Sequence, residues 1–312
     1  MAFRVRPDES IAHGLRRLAK KELASAREQL QRTSPPEDDE IHEARKSVKK
    51  VRAIVHLVNR DHGKRLRGSK KQLRAVSRAL SQSRDADAMS VILQKLLDRQ
   101  RHVLSEHTLA RVRHLLADHK HAVAQRAARE HSWKEVVQGL RALHAAAKRW
   151  SPAHNRFGAL APGLRVTHRR GRKAMAQALA RHRAADFHEW RKELKGLWYE
   201  LRLIESAGAV IHRDVAILKR AETWLGDDHN VVLLCAHLSS DQSFESDSME
   251  FRRLKRAGDR YQQELRRKAI ASTKAIYATP TGVYVRGVKR AWKNQDRRKR
   301  AVGPSQRARR RA

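Results

Sequence analysis

The chain has 312 residues, of which 40% are hydrophobic, 33% are charged and only 5% are aromatic. Lys and Arg outnumber Asp and Glu by 70 to 33, a formal net charge of +37, so the chain would repel itself without anions and a polyanionic partner is the default expectation. One cysteine, Cys235, excludes an intrachain disulfide, and the scarcity of Gly and Pro beside abundant Ala, Leu, Arg, Lys, Glu and Gln favours long amphipathic helices.

Taken in order, a first helix is predicted from Ser10 to about Arg32, broken by Ser34, Pro35 and Pro36. The acidic residues that follow suit a helix N-terminus, where free N–H groups and the dipole favour negative charge. The next helix runs to about Arg60, with Gly63 and Gly68 marking its end. KKQLRAVSRALSQSRDADAMSVILQKLLDRQ reads as one or two helices with a break near Arg84 and Asp85, and residues 106–149 as two more meeting at His131 and Ser132. SPAHNRFGALAPG (151–163) is the clearest interior break. Helices return at about Leu164–His182 and Asp186–Ala207, and residues 210–238 echo 66–93. A polar loop at 239–248, a long helix to about Tyr277 and a last helix opened by TPTG (279–282) complete the fold, with no strand predicted. The basic end, 296–312, reads as a tail disordered until bound.

One pattern occurs twice. IHEARKSVKKVRAIVHLV (41–58) and FHEWRKELKGLWYELRLI (187–204) both contain H-x-x-R-K-x-x-K, as His42, Arg45, Lys46, Lys49 and as His188, Arg191, Lys192, Lys195; adding 146 to the first set gives the second. Such self-similarity predicts two related halves, about 3–150 and 156–295. At about 100° per residue, Lys49 lies roughly −20° from His42, Lys46 roughly +40° and Arg45 roughly −60°, with Lys50 and Arg52 flanking. Ile41, Ala44, Val48, Val51, Val55 and Val58 take the other side, matched by Phe187, Trp190, Leu194, Leu197, Leu201 and Ile204. Like charges one helical turn apart are mildly destabilising, and a single basic face of this kind is an ordinary solvated surface. Two copies in one register favour a phosphate-binding surface, in which Arg presents a planar fork and Lys a mobile point charge. A histidine beside phosphate has its charged form favoured by the anion and opposed by adjacent cations, and donates a hydrogen bond in either state.

Other chemistry is weakly signalled. His102, His107, His114, His119 and His121 are scattered without metal-ligand spacing, so no metal site or cofactor is expected. Walker A, G-x-G-x-x-G and G-x-S-x-G motifs are absent. Asp85 with Asp87, and Asp227 with Asp228, are spaced to hold Mg²⁺ or to pair with nearby cations; pairing is the simpler reading. Trp190, Trp198 and Trp224 fall on apolar helix faces, as core rather than stacking platforms. No apolar stretch matches a signal peptide or membrane span, so a soluble, cytoplasmic protein without a membrane partner is expected.

The repeated motif resembles the CHAD family, the conserved histidine α-helical domain. Its first helix motif, H-x-x-R-[VK]-x-x-[RK]-[RK]-x-R, is matched by His42, Arg45, Lys46, Lys49, Lys50 and Arg52. Its second, H-x-x-R-[IK]-x-x-K-x-x-R-Y, is matched by His188, Arg191, Lys192 and Lys195, with Trp198 in place of Arg and then Tyr199. FRVRPDESIAHGLRRLAKKEL is similar to the family's opening, and LSQSRDADAMSVIL and LGDDHNVVLL to its L-G-x-x-[RN]-D-x-x-V signature. Gly196 stands where the first copy has Lys50, and His229 and Asn230 where Asn and Asp are expected. The resemblance covers about residues 3–295. It implies two α-helical bundles related by a pseudo-two-fold axis, with basic helix faces lining a central cavity that binds inorganic polyphosphate, and association with polyphosphate granules.

The expectation is therefore an all-α, internally duplicated polyphosphate-binding protein that is not an enzyme. His42, Arg45, Lys46, Lys49, His188, Arg191, Lys192 and Lys195 are the expected phosphate contacts, with Lys50 and Arg52 as second choices. The runner-up is a non-specific nucleic-acid or nucleoid-associated protein acting through the basic tail. A triphosphatase or polyphosphate kinase requires an acidic, metal-holding cluster, and none lies beside the basic stripe in the sequence. Oligomeric state is left open.

Overall fold

A computed structural model describes residues 3–6, 9–58, 66–80, 84–100, 103–130, 133–150, 157–240 and 249–301. Eleven α-helices are present among them: α1 (Ile11–Gln29), α2 (Asp38–Val58), α3 (Arg67–Ala79), α4 (Arg84–Arg99), α5 (Glu106–Glu130), α6 (Trp133–Ala146), α7 (Ala161–Arg181), α8 (Ala184–Leu203), α9 (Ala209–Ser240), α10 (Met249–Ala278) and α11 (Thr281–Ala301). Three short 3₁₀ turns lie at Ala147–Arg149, Phe157–Ala159 and Glu205–Ala207, and the described residues contain no strand.

Local chemistry sets the helix ends. Ser10 Oγ accepts from the His13 N–H at 3.2 Å and caps α1. α2 opens with Asp38, Asp39 and Glu40 in its first turn, where the dipole favours them, and the Glu40 carboxylate accepts from the Glu37 N–H at 2.9 Å and from the Thr33 hydroxyl at 2.6 Å. The predicted Asp186–Ala207 helix instead ends at Leu203 and tightens into a 3₁₀ turn. At the other end of the chain, α11 continues through Ala301, so residues 296–301 are helical rather than part of a disordered tail. Nothing in their sequence stops a helix before Gly303 and Pro304. The rest of the predicted tail, 302–312, lies outside the described residues, as do 151–156 of the predicted interior break and 241–248 of the predicted polar loop.

All six apolar positions of α2 are buried, as are the five of the second copy on α8 and Ile204 just beyond its end. α1 packs on α2 and α6, α7 on α8 and α11, and α9 on α8 and α10, while α2 touches both α7 and α8. Gly163 allows that last approach: a Cβ there would lie 2.8 Å from the Leu57 Cα and 2.9 Å from its carbonyl oxygen. The apolar core falls into two clusters, and neither belongs to one half of the chain. The larger joins α1, α2, α3 and α6 with α7, α8, α11, the first part of α9 and the end of α10. The smaller joins α4 and α5 with Val231, Leu234 and Leu238 of α9 and Phe251, Leu254 and Ala257 of α10. α9 is an uninterrupted helix of 32 residues, roughly 48 Å long, and reaches both clusters, whereas its sequence counterpart is split between α3 and α4.

One polar contact ties α2 to α7 and α8. His56 Nδ1 lies 2.8 Å from Glu200 Oε1, which also accepts from the Thr167 hydroxyl at 2.8 Å. Glu200 is fully buried and the imidazole is partly exposed. The hydrogen bond to Glu200 raises the His56 pKa; burial and Arg170 oppose, and Glu193 adds to the rise. The stabilisation is therefore complete below the ordinary histidine value of 6.5 and lost as pH rises through the raised folded-state value. Thermal melts from pH 6 to 9 should show wild type losing its advantage over His56→Gln as pH rises. Parallel curves would show that the pair contributes no protonation-linked stability.

Candidate anion-binding site

The repeated basic positions have the same exposure in both copies. His42, Arg45 and Lys49 on α2 are half-buried, as are His188, Arg191 and Lys195 on α8, while Lys46 and Lys192 are exposed. The two exposed lysines lean back along their own helices. Lys46 Nζ lies 2.5 Å from Glu43 and Lys192 Nζ 3.0 Å from Glu189, again at matching positions. Exposed pairs of this kind contribute little, about 0–1 kcal/mol, and leave both ammonium groups accessible. Arg52 is also exposed.

The half-buried cations of α8 converge on Glu222 of α9. Arg191 Nη2 donates to Glu222 Oε1 at 3.0 Å, Lys195 Nζ to the same oxygen at 2.5 Å, and Lys219 Nζ to Oε2 at 3.3 Å. The carboxylate side chain is only 6% exposed. Burial alone would push its pKa up, but Lys195, Arg191 and Lys219 outweigh burial and hold it at about 2. Gly226, one turn along α9, makes room for the guanidinium: a Cβ there would lie 3.1 Å from Arg191 Nη2. His229 brings its ring to 3.9 Å from that of His188, tilted by 39°.

α2 has a smaller version of the same device. Glu22 of α1, also buried, accepts from Lys50 Nζ and from Ser47 Oγ, each at 2.9 Å. Neither glutamate was singled out in the sequence reading, although a signal was present. Glu22 follows Leu18 by four residues and Glu222 follows Leu218 by four, so each carboxylate falls on its helix's buried stripe. A carboxylate there requires a cation from the facing helix.

The acidic pairs noted in the sequence are engaged elsewhere. Asp227 meets Lys95 at 2.6 Å, Asp228 meets Arg266 at 2.7 Å, and Asp87 meets Lys120 at 2.7 Å; the Asp85 side chain lies outside the described residues. Among the described residues no group of three or more His, Cys, Asp and Glu is arranged to hold a metal ion. Nor is any described helix long and apolar enough to cross a membrane. Trp190 and Trp198 are buried, as their positions on apolar faces predicted.

The family model for the CHAD domain matches residues 21–239, a span that contains both repeated helices, Glu22 and Glu222. No curated protein matches the chain. Among solved structures, the CHAD domain from the plant Ricinus communis is similar at 19% identity, over 90% of this chain and 98% of that one, with a TM-score of 0.57. At that identity the likeness is one of fold.

Removing Glu222 should expose how much repulsion it offsets. Breaking a buried ion pair from one side costs about 3 kcal/mol or more, so Glu222→Gln should lower denaturant stability at neutral pH by about that amount. Because the folded-state pKa is depressed, the wild-type advantage exists above the ordinary carboxylate value of 4.5 and disappears as pH falls toward about 2. Equal stability of wild type and Glu222→Gln at neutral pH would mean that the cations do not depend on this carboxylate.

Proposed function

The chain belongs to the CHAD domain family, and on that footing we propose that it binds inorganic polyphosphate on the basic faces of α2 and α8. His42, Arg45, Lys46, Lys49, His188, Arg191, Lys192 and Lys195 are the contacts, with Lys50 and Arg52 beside them. The observation that carries this reading is the position-by-position agreement of the two copies, in sequence and in exposure, on two helices that touch. Packing alone explains a repeated apolar face. It does not explain why the same four polar positions keep histidine, arginine and two lysines at the same depth.

The chemistry suits a polymer of phosphates without bases. Arginine forks and lysine ammonium groups read phosphate oxygens, and the tryptophans of α8 are buried rather than offered as stacking platforms. Internal duplication with a pseudo-two-fold axis is part of the same proposal. It is supported by corresponding helix contacts: α1 on α2 and α7 on α8, α1 on α6 and α7 on α11, α4 on α5 and α9 on α10. In this reading the two faces border a common basic cavity. The protein holds the polymer without cleaving it and collects where polyphosphate accumulates, at granules. Cys235 offers no ready nucleophile, because burial and Asp259 push its thiol up to about 11.

Competition at physiological salt between long-chain polyphosphate and duplex DNA or RNA tests the proposal. Polyphosphate should displace both from wild type and from a chain ending at Ala301. His42→Ala/Arg45→Ala/His188→Ala/Arg191→Ala should lose about a hundredfold or more in polyphosphate affinity, given about 1.5–3 kcal/mol for each charged hydrogen bond. Equal binding of all three polyanions, unchanged by the substitutions and abolished by truncation, would move the function to the tail and to nucleic acid.

A further inference from the structure

Trp198 stands where the family motif has arginine, which on sequence alone removes one cation from the second copy. The packing brings two back. Lys219 Nζ lies 4.8 Å and the Arg202 guanidinium carbon 5.1 Å from the Trp198 ring centroid. Arg202 also lies 5.8 Å from the Phe3 ring, which takes Lys50 of α2 at 5.7 Å. Phe3 is buried and meets Tyr199 edge-on. Its segment is pinned across the end of α8 by the Val5 N–H, which donates to the Leu203 carbonyl at 2.9 Å.

We propose that Arg202 and Lys219, seated on the Phe3 and Trp198 rings, contact polyphosphate and join the basic faces of α2 and α8 into one track across the seam. The inference rests on the polyphosphate reading above. Its basis is the unbroken series of contacts from Lys50 through Phe3 to Arg202, then through Trp198 to Lys219, which meets the same Glu222 as Lys195 and Arg191. The series starts at one buried carboxylate, Glu22, and ends at the other.

The choice of rings as partners has a chemical consequence. A carboxylate holds a cation and also cancels its charge. An aromatic face holds it by about 0.5–1 kcal/mol at a partly exposed site and leaves the full charge to act outward. Arg202 is half-buried and has no carboxylate partner among the described residues. It is therefore positioned without being neutralised, midway between two clusters that are each partly neutralised. A long polymer can bridge all three regions, whereas a tripolyphosphate fits within one.

The test compares tripolyphosphate with long-chain polyphosphate on three full-length chains: wild type, Arg202→Gln/Lys219→Gln, and Lys255→Gln/Arg256→Gln. The last removes the same charge from exposed positions of α10 beside the smaller core cluster. Wild type should prefer the long polymer. Arg202→Gln/Lys219→Gln should weaken long-chain binding about tenfold or more beyond the α10 pair, as expected for the loss of charged contacts, and should affect tripolyphosphate much less. Equal losses in the two variants, with wild type still preferring the long chain, would overturn the track and leave the two-face site standing. Failure of wild type to bind either ligand would overturn the polyphosphate reading and the track with it.

Discussion

The structure depends on carboxylates placed inside it to hold cations that would otherwise repel one another. With a formal net charge of +37, the chain cannot rely on its surface acids to quiet two concentrated basic helix faces. Glu22 and Glu222 do so from buried positions on neighbouring helices. Each reaches the cations only because α1 packs on α2 and α9 on α8, so the apolar contacts and the basic site form together. Compensation is deliberately incomplete in its physical effect: one carboxylate faces Arg191, Lys195 and Lys219, and the local excess remains positive.

The second organising feature is the seam between the two repeated helices. Gly163 lets α7 approach the backbone of Leu57, and the buried Glu200 draws His56 of α2 toward α8. α9 reaches both core clusters, and among the described residues each cluster draws on both halves of the chain. Phe3, carried by the N-terminal segment, fills the same region and sets Lys50 and Arg202 on one ring. The basic faces are thus fixed relative to each other by the apolar contacts that surround them.

The helix periodicity of 41–58 and 187–204 made both apolar faces legible from the sequence, and all twelve positions are buried. The break at the Ser34–Pro36 segment and the return of helix after residue 160 were equally plain. What could not be read was set by partners distant in the chain. Nothing in the sequence explains Gly226 inside a helix; in the fold a Cβ there would lie 3.1 Å from the Arg191 guanidinium, a partner 35 residues away. Trp198 looked like a lost cation, because only packing shows Lys219 and Arg202 over its ring. His229 looked like a departure from the signature; in the fold its ring lies 3.9 Å from that of His188, tilted by 39°. The glutamates 22 and 222 were visible as acids on apolar stripes, and their roles followed only once the facing helices were known.

Lysine modification followed by mass spectrometry, with and without saturating polyphosphate, tests the central claim most directly because it reads individual positions. The account predicts protection of Lys46, Lys49, Lys50, Lys192, Lys195 and Lys219, while Lys255, Lys289 and Lys293, exposed on α10 and α11, stay reactive. Protection spread evenly over all exposed lysines, or confined to α10 and α11, would contradict it.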